Sequence, residues 1–252
     1  MSKDLSGKKI LITRSKDNSE NAFKLLEEKG AEVFYIPTIK IVPVDDYSDF
    51  RRALIDINKY SFIIFTSVNA VNFFFEKAKD IDLSKLLVAA VGKKTAQVCE
   101  ENNIPIDIIP GEFSAKGLIE KFKTLDLRGK KVLIPGSAIS RTELRKGLAE
   151  LGADVDFIPI YDIAVPDKSE IVPEYFDVEA IDVFVFTSPS TFNNFLAIFQ
   201  IKSAQDFFNS KLAAAIGPTT KARLKEKGLE VQIVPEEFTT TGLTNEIIKF
   251  YT

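Results

Sequence analysis

Histidine is missing from this chain of 252 residues, and cysteine occurs once, at Cys99. The first absence removes histidine triads, histidine general bases and nearly every zinc-ligand pattern. The second removes any disulfide within the chain. Nucleotide-binding and nucleophile motifs are absent as well. Gly92-Lys93-Lys94-Thr95 suggests a phosphate loop, but Leu87 stands where its first glycine is required. No G-x-G-x-x-G run occurs, and Thr187-Ser188-Pro189-Ser190 lacks the flanking glycines of a nucleophile elbow. The N-terminal stretch MSKDLSGKK has no apolar h-region, and no apolar run reaches transmembrane length. The expectation is a soluble, cytoplasmic protein with no membrane contact.

What is present is an ordinary globular balance: 45% apolar and 27% charged residues, with a formal net charge of −3. Such a chain has no global field to attract nucleic acid, so an anionic ligand must be held by local groups. The length fits one large domain or two of ordinary size.

An internal repeat favours two. Gly7-Lys8-Lys9-Ile10-Leu11-Ile12 matches Gly129-Lys130-Lys131-Val132-Leu133-Ile134, and the match runs on through Gly30 against Gly152 to Ile36-Pro37 against Ile158-Pro159. Phe65-Thr66-Ser67 matches Phe186-Thr187-Ser188. Val88-Ala89-Ala90-Val91-Gly92 matches Ala213-Ala214-Ala215-Ile216-Gly217, continuing to Pro110, Phe113 and Gly117 against Pro235, Phe238 and Gly242. Two copies of about half the chain are too few and too long for a solenoid.

Within each copy strands alternate with helices. Ile10-Leu11-Ile12 is a short apolar run of the buried-strand kind. Asp17 with Glu20, and Ser140 with Glu143, make capping-box signals for helices that Gly30 and Gly152 end. Leu144, Leu148 and Leu151 form one apolar stripe. Val71, Phe74, Phe75 and Ala78 form another, and Phe192, Phe195, Leu196 and Phe199 a third, all at helical spacing. The runs Ile106 to Ile109 and Val231 to Val234 close each half. Tyr35 to Pro43 and Phe157 to Pro166 are long, extended and β-branched. The class this predicts is α/β, with parallel sheets covered by helices on both faces. Which segments fold together stays open at the level of residues.

In open parallel sheets, ligands bind beyond the carboxyl ends of the strands. There the first half supplies Thr13-Arg14-Ser15, Thr66-Ser67-Val68-Asn69 and Gly92-Lys93. The second half supplies Gly136-Ser137, Thr187-Ser188-Pro189-Ser190 and Gly217-Pro218-Thr219-Thr220. Each of these loops opens a helix, and a helix N-terminus offers unpaired N–H groups and partial positive charge. Taken singly, serines and threonines there are ordinary N-caps. Taken as a duplicated set, they suit a ligand with many carboxylates. Cys99 lies in a predicted helix and reads as a small core residue. The runs Glu27-Glu28-Lys29 and Lys225-Glu226-Lys227 read as solvated helix faces. Tyr161 has two readings: a packed strand ring with a satisfied hydroxyl, or a phenol facing a gap between domains and able to give a proton.

The chain resembles the uroporphyrinogen-III synthase family along essentially its full length. The residues that carry this are Ile12-Thr13-Arg14, Glu28 to Val33, Ile64 to Val71, Ala89 to Gly92, Pro159-Ile160-Tyr161, Phe186 to Ser190 and Ala215 to Thr220, in that order and spacing. The resemblance implies two flavodoxin-like domains with parallel sheets, joined by a two-stranded linker. One domain is 1–37 with 167–252, the other 38–166, with linker strands about 35–43 and 157–166. It implies that hydroxymethylbilane, a linear tetrapyrrole, is closed to uroporphyrinogen III with inversion of ring D and loss of water. The enzyme is then a hydro-lyase needing neither metal nor cofactor. Hand-over from hydroxymethylbilane synthase and a monomeric state belong to the same expectation.

By this resemblance Tyr161 assists departure of the hydroxyl. The substrate contacts are Arg14, Thr66, Ser67, Asn69, Gly92, Lys93, Arg141, Thr187, Ser188, Ser190, Gly217, Thr219 and Thr220. Relatives often place an arginine just after the strand at Ile134, where this chain has Pro135-Gly136, which puts the contact through Arg141 in question. Two other readings stand beside it: a two-lobed sensor that binds an anion without turnover, and an FMN-binding flavodoxin relative, which needs a phosphate loop the sequence lacks. No appended DNA-binding or signalling segment supports the sensor.

Overall fold

The computed structural model describes residues 5–16, 20–138 and 142–252, without the side chains of Glu20 and Asn21. The first repeat builds β1 (Lys9–Ile12), α1 (Glu20–Glu28), β2 (Glu32–Tyr35), β3 (Lys40–Pro43), α2 (Ser48–Ile55), β4 (Phe62–Phe65), α3 (Val68–Lys77), β5 (Leu87–Ala90), α4 (Lys93–Glu101) and α5 (Ala115–Phe122). The second builds β6 (Lys131–Ser137), α6 (Thr142–Glu150), β7 (Asp154–Ala164), α7 (Lys168–Ile171), β8 (Val183–Phe186), α8 (Pro189–Ile198), α9 (Ala204–Phe207), β9 (Leu212–Ala215), α10 (Pro218–Glu226) and α11 (Thr240–Tyr251).

Two sheets result, with strand orders β2-β1-β8-β9 and β3-β7-β6-β4-β5. The pairs β1–β2, β1–β8 and β8–β9 are parallel, as are β4–β5, β4–β6 and β6–β7. Each β-α-β unit that opens a repeat therefore pairs with strands of the other repeat: β1 lies beside β8, and β6 beside β4. The chain divides into two compact units, Met1–Lys40 with Ala164–Thr252, and Ile41–Ile163.

Within each unit both sheet faces are covered, so the central strands are apolar at every position. All of β4 (FIIF) and all of β8 (VFVF) is buried. In the first unit Ile10 and Ile12 face Phe23, Leu26, Leu243 and Ile247, while Leu11 faces Phe184, Phe192, Phe195 and Phe208 on the other side. In the second, Ile63 and Phe65 pack with Phe50 and Phe74, and Phe62 and Ile64 with Leu118 and Phe122. Each buried phenylalanine contributes about 1.5–3 kcal/mol relative to exposure. Gly30 (φ 92°) and Gly152 (φ 91°) end α1 and α6 in the left-handed region, where a side chain is strained. The capping boxes proposed at Asp17 and Ser140 lie outside the described residues.

Several expectations need correction. Ile106 to Ile109 and Val231 to Val234 are not strands; each meets its sheet through one parallel bridge, Ala89 to Ile108 and Ala214 to Ile233. Beside these bridges a side chain takes one of the edge N–H groups. Asp107 Oδ2 accepts from Val88 N–H at 2.8 Å, and Gln232 Oε1 from Ala213 N–H at 3.1 Å. The stretch Tyr35 to Pro43 is broken between β2 and β3, where Pro37 has no N–H to donate. Pro135-Gly136-Ser137 is not a loop but the end of β6, with a register shift between Gly136 and Ser137. Of the stripe on α8, Phe192 and Phe195 are buried but Leu196 and Phe199 only half-buried. Leu151, just after α6, is likewise half-buried, packed against the core of its unit.

At the start of β6 and β7, Asp156 Oδ2 lies 2.7 Å from Lys131 Nζ and accepts from Tyr60 Oη at 2.6 Å. Burial raises the Asp156 pKa, but the hydrogen bonds from Lys131 and Tyr60 outweigh it and hold the carboxyl below its ordinary value. A lowered folded value stabilises above the unfolded pKa and loses that contribution as pH falls through the folded one. Asp156→Asn is therefore expected to lower stability at neutral pH by less than about 1 kcal/mol, since the pair is about one-third exposed. The difference from wild type should shrink in acid. Urea midpoints measured from neutral to acid pH check this, and a constant difference contradicts it.

Candidate active site

The strands end at matching places in the two units, and the next residues cap helices. In the second unit Ser67 caps α3 and Ser114 caps α5, their hydroxyls accepting from Ala70 N–H (3.1 Å) and Gly117 N–H (3.0 Å). In the first unit Ser188 caps α8 and Thr239 caps α11, accepting from Thr191 N–H (3.2 Å) and Gly242 N–H (2.9 Å). Gly92 and Gly217 stand at the N-caps of α4 and α10 with no side-chain hydrogen bond. The backbone N–H groups of those first turns are thus left to another acceptor. A Cβ built on Gly92 meets nothing within 4 Å, so its approach is open; one on Gly217 meets Phe238 Cγ at 3.2 Å.

A cavity of about 340 Å³ lies at this end of the second unit. Thr66, Ser137, Arg145 and Tyr161 give it polar groups, and Val91, Leu144, Phe157 and Ile163 give it apolar walls. Tyr161 is near the end of β7, opposite Ser137 just past the register shift. Its ring is 5% exposed and stacks on Phe73, with centroids 5.4 Å apart and planes 28° apart. Its phenol oxygen lies 3.0 Å from Ser67 Oγ.

The residues expected at the site fall into groups within the units. Thr66, Ser67 and Tyr161 come together, with Asn69 in the first turn of α3 and Gly92 and Lys93 at the end of the neighbouring strand β5. Lys93 is exposed, its Nζ 5.6 Å from the Phe113 ring centroid. In the first unit Ser188 Oγ lies 2.9 Å from Ser190 Oγ, with Thr187 at the end of β8 and Gly217, Thr219 and Thr220 following the adjacent β9. Thr219 is exposed but Thr220 is buried. Arg14 is half-buried in the bend after β1. Arg141 lies outside the described residues.

Sequence reasoning passed over Arg145 and Phe73, while Ser137 was named only as part of a loop after the strand. Arg145 stands four residues after Arg141 in the sequence, and that spacing was the available signal. The position of Phe73 against Tyr161 depends on β7, distant in sequence, and had no local signal. Cys99 is buried, and burial pushes its thiol up to about 12, which leaves it protonated and unsuited to attack. Among the described residues no group of histidine, cysteine, aspartate and glutamate could hold a metal ion, and no helix is long and apolar enough to cross a membrane.

A family model described as uroporphyrinogen-III synthase HemD matches residues 20–245. The chain belongs to the uroporphyrinogen-III synthase family. It is 30% identical over 239 residues to the uroporphyrinogen-III synthase of Chlorobaculum parvum, covering 92% of this chain and 94% of that one. It is 30% identical over 251 residues to the uroporphyrinogen-III synthase of Synechococcus elongatus, covering 95% and 94%. A solved structure, the uroporphyrinogen-III synthetase of Helicobacter pylori, superposes with a TM-score of 0.66 over 96% of this chain and 99% of the other. At 17% identity that likeness speaks for the fold. The family supplies what the side chains alone leave open, because hydroxyls and helix ends of this kind occur in many α/β proteins.

Proposed function

We propose that this uroporphyrinogen-III synthase family member closes hydroxymethylbilane to uroporphyrinogen III, inverting ring D and releasing water. The observation that carries the reading is the family match over residues 20–245. The chemistry of the side chains agrees with it. The linear substrate cyclises unaided to the uninverted isomer, so the enzyme's task is to fold the chain and bias the attack. Hydroxyls and helix ends serve that task without histidine, thiolate or paired carboxylates.

In this reading Tyr161 is the acid. The bond from the terminal methylene carbon to its hydroxyl breaks with the electron pair on oxygen. That oxygen takes the phenol proton and leaves as water, while the pyrrole nitrogen's lone pair, its N–H retained, completes the protonated azafulvene, whose charge faces the phenolate. The proton that a ring carbon sheds on closure returns to the phenolate. Carboxylates of the substrate are held at helix N-termini, each contact contributing about 0.3–1 kcal/mol when exposed. Thr66, Asn69, Gly92, Lys93 and the backbone at Ser67 serve one part of the substrate. Arg14, Thr187, Ser188, Ser190, Gly217, Thr219 and Thr220 serve another, and Arg141 is also assigned to the substrate. The proposal takes 1–37 with 167–252 and 38–166 as the working domains, and a monomer acting in the cytoplasm on bilane handed over from its synthase.

The test is the rate of bilane consumption with enzyme against the spontaneous rate, in wild type and in Gly92→Ser. The serine places a Cβ and hydroxyl in the open space over α4 while remaining a good N-cap. Acceleration by wild type, and a KM raised about tenfold or more in Gly92→Ser with unchanged thermal stability, is the expected result. A wild-type rate equal to the spontaneous one contradicts the function, and an unchanged KM contradicts the role of α4.

A further inference from the structure

We propose that Ser67 is a positioning residue for Tyr161: its hydroxyl donates to the phenol oxygen and leaves the phenol proton for the substrate. The inference rests on the synthase reading and adds the direction of one hydrogen bond to it. Ser67 Oγ has one proton and two lone pairs. One lone pair accepts from Ala70 N–H at 3.1 Å, the cap of α3. Tyr161 Oη lies 3.0 Å away, and either oxygen has a proton to give. A phenol donating to Ser67 must break that bond before it protonates a leaving hydroxyl. A phenol accepting from Ser67 keeps its proton free, and the phenolate it becomes is met by a charge-assisted hydrogen bond already in place.

The same helix grips Tyr161 twice: Ser67 at the oxygen, and Phe73, stacked at 5.4 Å, at the ring. The sequence repeat separates this arrangement from ordinary scaffolding. At the matching places of the other copy stand Ser188, Asn194 and Ile39. Ser188 caps α8 as Ser67 caps α3, but its hydroxyl meets Ser190, and Asn194 Nδ2 donates to Thr38 O at 2.9 Å. Both copies keep the cap. Only one adds the aromatic partner and the phenol, so the contact serves something other than starting the helix.

The experiment compares Ser67→Gly and Ser67→Thr in wild-type and Tyr161→Phe backgrounds, with bilane generated in situ and type III product quantified. Glycine removes the hydroxyl yet is a tolerable N-cap, and threonine restores the donor. Ser67→Gly should lower kcat about tenfold with KM within about twofold, Ser67→Thr should recover most of it, and in the Tyr161→Phe background the loss should fall below about twofold. With ¹³C-labelled tyrosine, the Tyr161 Cζ signal, identified by its absence in Tyr161→Phe, should move in Ser67→Gly and stay put in Ser67→Thr. An equal loss in both backgrounds, a rise in KM alone or an unmoved Cζ signal overturns the role and leaves the synthase reading intact. A wild-type enzyme that forms no type III product overturns that reading, and this role with it.

Discussion

Tyr161→Phe is expected to fold normally and to form type III product about ten- to a hundredfold more slowly than wild type, at or below the low end of what a general acid contributes. The phenol oxygen is the only atom removed, and the phenylalanine ring keeps its place against Phe73. Loss of the contact with Ser67 costs about 1 kcal/mol of stability. The loss of rate is partial because the hydroxyl can depart unaided and because the fold of the bound bilane, not the proton, selects the isomer. The fall should appear in kcat, with KM little changed, since the proton is transferred only in the transition state. Steady-state kinetics on the purified variant check this. Unaltered turnover removes Tyr161 from the chemistry.

Gly117→Ala is expected to lower stability by about 3 kcal/mol, against the usual gain from alanine in a helix. Gly117 lies in the first turn of α5, and a Cβ there would fall on the carbonyl oxygen of Glu112. That carbonyl is held over the helix start because it accepts from Ser114 N–H at 2.8 Å, while Ser114 Oγ accepts from Gly117 N–H. Backbone meets backbone, so no side chain can swing aside. Gly242 repeats the arrangement with Glu237 and Thr239, whose N–H donates to Glu237 O at 2.7 Å, and Gly242→Ala should cost a similar amount. Urea unfolding of both variants decides it. A midpoint equal to or above wild type would show that the loop yields.

These glycines show what the sequence made legible and where it stopped. The pairing of Gly117 with Gly242, and of Ser67 with Ser188, was visible as a repeat, because each copy solves the same local problem of turning a strand into a helix. The buried strand Ile10 to Ile12 was visible as a continuous apolar run. Ile106 to Ile109 is apolar but for Asp107, whose carboxylate accepts from Val88 N–H, and only one bridge forms. Apolar composition does not record that competition. Nor could residues alone say that β1 pairs with β8 and β6 with β4, because similar copies make alternative pairings equally apolar. At the site, Tyr161 and Ser67 were both singled out. Their contact joins residues far apart in the chain and depends on how β7 shifts register at Gly136, where Pro135 suggested a loop. Arg145 had only its four-residue spacing from Arg141 to mark it.

The central claim is that this chain directs closure of the bilane toward the inverted isomer. Generating hydroxymethylbilane in situ, oxidising the products and separating type I from type III porphyrin tests it directly. The account predicts predominantly type III product above the enzyme-free control. Type I product alone, at the spontaneous rate and in the presence of folded protein, would contradict it.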